Sequence, residues 1–281
     1  MHDESVPSDA ELEEAKATAI EAAGIAGQIL LKYARTGFQI EHKNAVNLVT
    51  DADKESEQAI IDTIRRAYPH HDILAEERGM ESGGTSAYKW IIDPLDGTTN
   101  FAHGFPIYCV SIGLEYRRQV VLGVILDPTR NERFVAVSGQ GATLNGTRMQ
   151  VSQSSALGAA LLVTGFAYDI RESTHNNLNY FSRFCLRAQG VRRTGSAALD
   201  LCYVAAGRFD GFWEMKLHSW DVAAGSLMVT EAGGRMSDFK GGTFSIYGDE
   251  IVASNESIHG EMLAVLRDVS LHTDRTEPPS H

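Results

Sequence analysis

Positive charge is scarce in this chain: 25 lysines and arginines stand against 37 aspartates and glutamates, a formal net charge of −12. Nucleic-acid backbones are bound through clustered Lys and Arg that displace counterions, so no nucleic-acid partner is expected. The pairs Arg65-Arg66 and Arg117-Arg118 are scattered and read as solvated surface. Cysteine is also rare. Cys109, Cys185 and Cys202 lack C-x-x-C spacing and sit among apolar neighbours, which predicts buried free thiols in a reducing compartment. The longest apolar run, near QVVLGVIL, is far too short to span a bilayer. The opening MHDESVPSDA is acidic and polar, the opposite of a targeting peptide. A cytoplasmic protein with no membrane partner is therefore the expectation. There is no Walker-type glycine loop, which argues against nucleotide-driven transfer.

What the chain does hold is enough length, 281 residues, for one large or two fused domains. Ser8 and Glu11 form a capping box ahead of a helix whose apolar positions Leu12, Ala15, Ala19, Ala22, Ala26, Ile29, Leu30 and Tyr33 keep helical spacing. A second helix is predicted from about Lys54 to Tyr68, stopped by Pro69. Strand signals follow in DILAEE, WIID, CVSIGLEY, VVLGVILDP, RFVAVS and GATLNGTRMQV, where Asn145-Gly146 suits a type I′ hairpin turn. Beyond Leu157 strands and helices alternate: strands in ALLVTGF and FDGFWE, helices in HNNLNYFSRFCLRAQ, SAALDLCYVAAG and DVAAGSLMVTEAGG, and a last helix near Ile258 to Val269. Helices first, a strand-rich middle and a mixed end predict an α/β (α+β) fold of layered sheets and helices. The expected division is 9–150 and 151–270, with 1–8 and 271–281 as tails.

Acids are placed with a pattern. WIIDPLDGTTNF, Trp90 to Phe101, ends an apolar strand by pushing out Asp93 and Asp96, followed at once by a glycine and two threonines. NLVTDAD carries Asp51 and Asp53, ILAEE carries Glu76 and Glu77, and HSWDVAAG carries Asp221 at a helix start. A lone acid after a strand is more often a cap or a solvated turn. Several in one chain, with few bases beside them, shift the balance toward a cation, and hard oxygens without paired His or Cys favour Mg²⁺ over Zn²⁺. Asp-Gly-Thr is commonly an ordinary turn, but it can also open a helix whose free amides bind phosphate. Carboxylates beside an anion cradle point to phosphoryl chemistry with water as nucleophile.

WIIDPLDGTTNF and WDVAAGSLMVTEAGG together resemble the two signatures of the inositol monophosphatase family, with NLVTDAD and AEE upstream in the same order. The resemblance covers the chain from about Leu12 to Leu266. It implies a Mg²⁺-dependent phosphomonoesterase with layers in α-β-α-β-α order, two to three metal ions, lithium sensitivity and a homodimer. Residue by residue, it implies Glu76, Asp93 and the Leu95 carbonyl as ligands of one metal and Asp93, Asp96 and Asp221 as ligands of a second. Glu76 also falls where a third, water-held ion sits. Asp53 and Thr98 correspond to the pair that polarises the attacking water, and Gly97 and Thr98 to the phosphate cradle. Gly195, Ala197 and Glu214 correspond to the alcohol-binding segments. Asp51, Glu77 and His218 are left outside the set, as is Lys43, whose spacing departs from the pattern of the lysine it resembles. The substrate this implies is an inositol monophosphate or another small polyol phosphate. Histidinol phosphate, fructose 1,6-bisphosphate and a 3′-phosphoadenosine nucleotide are the alternatives within the same chemistry, and a regulatory binding protein that keeps the fold is the alternative outside it.

Overall fold

The computed structural model describes residues 7–42, 48–84 and 86–273. Lys43 and the outer parts of the two anticipated tails, 1–6 and 274–281, lie outside the described residues. Helix α1 spans Asp9–Thr36 and starts on the capping box, Glu11 N donating to Ser8 Oγ and Ser8 N to Glu11 Oε2. Short strands β1 (Ile40–His42) and β2 (Leu48–Thr50) pair antiparallel. Helix α2 spans Asp51–Ala67, starting earlier than the apolar pattern indicated because the Thr50 hydroxyl accepts the amides of Ala52 and Asp53. Capping, not periodicity, sets that boundary.

Strands β3 (Asp72–Ala75), β4 (Gly79–Glu81) and β5 (Tyr88–Asp96) come next, then a five-residue helix α3 (Thr98–Ala102). The strands β6 (Cys109–Tyr116), β7 (Gln119–Asp127), β8 (Glu132–Val137), β9 (Gly141–Leu144) and β10 (Thr147–Arg148) complete a sheet ordered β10-β9-β8-β7-β6-β5-β3-β4. It is antiparallel except where β3 runs beside β5. Asn145 and Gly146 both take positive φ in the β9–β10 turn, as the sequence indicates. The second half adds β11 (Leu161–Thr164), α4 (Leu178–Cys185), β12 (Gly190–Arg192), α5 (Ala197–Ala205), β13 (Gly211–Met215), α6 (Ser219–Glu231), β14 (Gly234–Ser237), β15 (Glu250–Asn255) and α7 (Glu256–Thr273). Its five strands are ordered β12-β11-β13-β15-β14.

The layers stack as α1 and α2, the eight-stranded sheet, α5 and α6, the five-stranded sheet, then α4 and α7. The α-β-α-β-α order is thus present. Every residue of α5 is buried, as expected for a helix apolar on all sides and covered by a sheet on each face. Of the cysteines, Cys109 and Cys202 are buried, but Cys185 is exposed. It follows Phe184, which points inward, and the turn of the outermost α4 carries the next residue outward. Among the described residues no helix is long and apolar enough to cross a membrane.

Small residues let α6 lie close to the large sheet. A Cβ on Gly123 would stand 2.8 Å from the Ala224 carbonyl oxygen, and one on Gly113 3.1 Å from Ala223 Cβ. On its other face Gly225 meets Leu201 of α5. The VAAG run is therefore a packing device that places the first turn of α6 against β6. Gly123→Ala meets backbone and cannot be absorbed by a rotamer change. A loss of about 1–3 kcal/mol in unfolding free energy is expected by urea titration, and an unchanged midpoint would refute this packing account.

Candidate active site

Strand β5 runs on through Asp96, and its register with β6 shifts between Asp93 and Asp96, around Pro94. A bulge re-aims side chains locally. Both carboxylates consequently stay inside the protein, Asp93 at 2% and Asp96 at 9% exposure, rather than being pushed out beyond the strand as the sequence implied. They face a cavity of about 560 Å³. Asp93 Oδ1 accepts the Leu95 amide at 2.9 Å. Asp96 Oδ2 accepts the Ser196 hydroxyl and the Ala198 amide, each at 2.7 Å, at the N-terminus of α5. Asp221 arrives on the first turn of α6, its Oδ2 accepting the His218 amide at 2.6 Å. One oxygen from each of Asp93, Asp96 and Asp221 lies within 4.8 Å of the others. Glu76, directly after β3, lines the same cavity, its amide bonded to the Ile92 carbonyl of β5.

This clustering has an electrostatic cost. Burial pushes the Asp93 carboxyl well above the usual carboxylate range, and Glu76, Asp96 and Asp221 push it further. Asp96 is pushed up to about 7 by burial and Asp221, against the hydrogen bonds from Ser196 and Ala198. Buried like charges of this kind are relieved by a proton or a cation. Every donor here is a hard oxygen, the donor set that Mg²⁺ takes and Zn²⁺ does not select. The residues present therefore fit a divalent cation of that class.

Behind the aspartates Gly97 takes φ +100°, and a Cβ there would stand 2.9 Å from the Ile107 carbonyl, so only glycine makes this turn comfortably. The Thr98 hydroxyl lies 3.2 Å from Asp53 Oδ1 and 3.0 Å from the Leu95 carbonyl. Asp53 is fully buried and does not itself line the cavity; it lies behind Thr98. Burial raises its carboxyl to about 6, opposed by two hydrogen bonds from Thr50. Asn100 Nδ2 donates to the Ile107 and Thr194 carbonyls, both at 2.8 Å, which ties this turn to the loop carrying Gly195.

Gly195, Ala197 and Glu214 line the same cavity, the Gly195 carbonyl 3.3 Å from where a Cβ on Gly97 would stand. Glu214, 6% exposed on β13, is raised well above its ordinary value by burial and then by Asp200, Asp221 and Asp96. Gly165 gives it room, since a Cβ there would stand 2.3 Å from Glu214 Oε1. Asp51 and Glu77 do not line the cavity, whereas His218 does, stacked on Trp220. Sequence reasoning missed Asp200, Arg193, Tyr168, Asp169 and Lys216, all of which line it. Asp200 left a signal, being the single acid in the otherwise apolar stretch AALDLCYVA. It is buried and accepts a hydrogen bond from the Thr194 hydroxyl.

A model of the inositol monophosphatase family matches residues 11–271. The chain is 44% identical over 252 residues to the Nus factor SuhB of Escherichia coli K12, covering 89% of this chain and 94% of that protein. It is 46% identical over 229 residues to an inositol-1-monophosphatase of Synechocystis, covering 81% and 80%. The inositol monophosphatase structure from Anabaena superposes with a TM-score of 0.84 at 44% identity, covering 92% of this chain and 96% of that one. An inositol monophosphatase from Thermotoga maritima gives 0.84 at 33% identity, covering 92% and 99%.

The strain in the acid cluster can be measured without any assay of turnover. Millimolar Mg²⁺ should raise the thermal midpoint of the wild-type chain, because it binds only where the carboxylates are gathered. Asp93→Asn should raise the midpoint of the metal-free protein and abolish most of the Mg²⁺-induced increment. Identical midpoints for both chains with and without Mg²⁺ would rule out this view of the cluster.

Proposed function

The chain belongs to the inositol monophosphatase family, and on that premise we propose that it hydrolyses the phosphate ester of inositol monophosphates and similar small polyol phosphates with Mg²⁺ as cofactor. The observation that carries this reading is the convergence of Asp93, Asp96 and Asp221 in one cavity beside the Gly97–Thr98 turn. Glu76, Asp93 and the Leu95 carbonyl would hold one cation, and Asp93, Asp96 and Asp221 another. Such cations, when bound, supply positive charge to the phosphoryl and leaving oxygens.

The remaining work falls to the chain's own groups. The amides of Gly97 and Thr98 hold the phosphate oxygens at the start of α3, where first-turn amides have no partner within the helix. The Thr98 hydroxyl orients the attacking water and relays its proton toward Asp53 Oδ1, 3.2 Å away. Asp53 suits that role because its other oxygen is fixed by the Thr50 amide and hydroxyl, which leaves Oδ1 as the acceptor. Glu214 accepts hydrogen bonds from the hydroxyls of the leaving alcohol, while Gly195 and Ala197 let the ring approach. The acidity of that wall favours hydroxyl-rich leaving groups over anionic ones.

A second reading is supported by the relatives named Nus factor SuhB: a binding role that uses the same fold. Asp93→Asn separates the two. Loss of phosphate release together with the cellular role supports catalysis, and loss of phosphate release alone supports the binding role.

Phosphate release from inositol 1-phosphate should require Mg²⁺ and stop in excess chelator; full activity in chelator would overturn the proposal. Thr98→Ala should keep Mg²⁺ binding and lower kcat by roughly 10²–10⁴-fold, as loss of a positioned proton-transfer group does. Glu214→Ala should instead act through KM for inositol 1-phosphate and cost roughly ten- to hundredfold in kcat/KM. An aryl phosphate, with no hydroxyls for Glu214 to bind, should lose little. Equal losses for both esters would take Glu214 out of the alcohol site.

A further inference from the structure

Lys216 combines three features that the reaction described above does not use. It lines the cavity, two residues beyond Glu214, at the end of β13. Its φ is +62°, and among the described non-glycine residues with positive φ it alone lies in the cavity wall. Side chains are disfavoured there, and such outliers persist where the surroundings hold them. The Lys216 amide is fixed by the Asp249 carbonyl at 2.7 Å. Its ammonium group crosses to the facing segment, donating to Asp169 Oδ2 at 2.6 Å and to Ser173 Oγ at 2.9 Å.

That facing segment, Gly165 to Ser173, contains no helix or strand, yet Phe166, Ala167, Tyr168 and Asp169 line the cavity. Its root is rigid: Asn177 Nδ2 donates to the Gly165 carbonyl and the Thr164 hydroxyl, and Trp213 Nε1 donates to Asn177 Oδ1. Farther along, Tyr168 lines the cavity together with Thr99, beside the phosphate turn. Beyond it, the ion pair of Lys216 with Asp169 Oδ2, its side chains 25% and 44% exposed, ties the segment to β13.

We propose that Lys216 is a positioning residue that sets substrate size: by gripping Asp169 and Ser173 it fixes the 165–173 segment across the alcohol side of the cavity, so that the site takes a compact polyol phosphate in preference to a bulky ester. The assignment of esters rests on the proposed phosphatase reading; the tie itself does not.

Two measurements test this. Amide hydrogen exchange over 165–173 should be faster in Lys216→Met and in Asp169→Asn than in the wild-type chain, and near wild type in Lys216→Arg, which keeps the charge. With Mg²⁺, Lys216→Met and Asp169→Asn should each raise KM for inositol 1-phosphate by roughly fivefold, with a smaller change in kcat. The double variant should be no worse than either single one, because both remove the same contact. The kcat/KM ratio of adenosine 2′-monophosphate to inositol 1-phosphate should rise by roughly fivefold in the same variants. Unchanged exchange in both variants overturns the proposal. So does a rate lost in Lys216→Met but kept in Asp169→Asn, since Lys216 would then act on the substrate directly. If the wild-type chain hydrolyses neither ester, the phosphatase reading falls, and the exchange rates still decide whether the tie exists.

Discussion

Repulsion among carboxylates that the fold forces together is the constraint around which this protein is organised. Two unit charges about 4 Å apart repel by roughly 4 kcal/mol at the effective dielectric of a protein site. Several such terms rival the 5–15 kcal/mol that holds a typical domain together. Nothing in Asp93, Asp96 or Asp221 favours their approach. Packing imposes it: the glycine and alanine contacts seat α6 on β6 and β7, and the bulge in β5 turns both of its acids toward that helix. Two large apolar clusters, one on each side of the eight-stranded sheet, supply the free energy that keeps the arrangement closed.

The cavity gathers acids at the end of β5 and the head of α6, with the Gly97 turn beside them, and Glu214, Asp200, Phe166, Tyr168, Trp220 and Arg193 complete its lining. Asp53 is not part of that lining. It is locked into the cap of α2 and touches the cavity only through the Thr98 hydroxyl, so its effect on chemistry depends on one side chain in between.

Much of this was legible in the sequence, for identifiable reasons. Asp93, Asp96 and Asp221 stand where apolar runs stop and turns or helices begin, and such breaks are visible in one dimension. The switch between strand-rich and alternating segments indicated layered sheets and helices, while the order of the layers came from the family resemblance. The burial of Asp93 and Asp96 was not legible, because it depends on a register shift against β6, a strand that starts beyond the turn. The strands β1, β4 and β12 have three residues each, too few to carry a period. The Lys216–Asp169 pair joins residues far apart in sequence through a backbone angle that residue type does not foretell. Cys185 was misplaced because apolar neighbours do not say which side of a helix a residue takes.

Asp96 touches two things at once. Its Oδ2 is bonded to the first turn of α5, through Ser196 and the Ala198 amide, while the carboxylate also belongs to the acid cluster. Helix α5 begins at Ala197, two residues beyond Gly195, and both residues line the cavity. On the proposed function, a charge that settled on Asp96 would alter its hold on the turn that meets the leaving alcohol. Linkage is reciprocal: were the site to take a cation and an alcohol as proposed, each would change the affinity for the other by the same factor, through the one carboxylate they share.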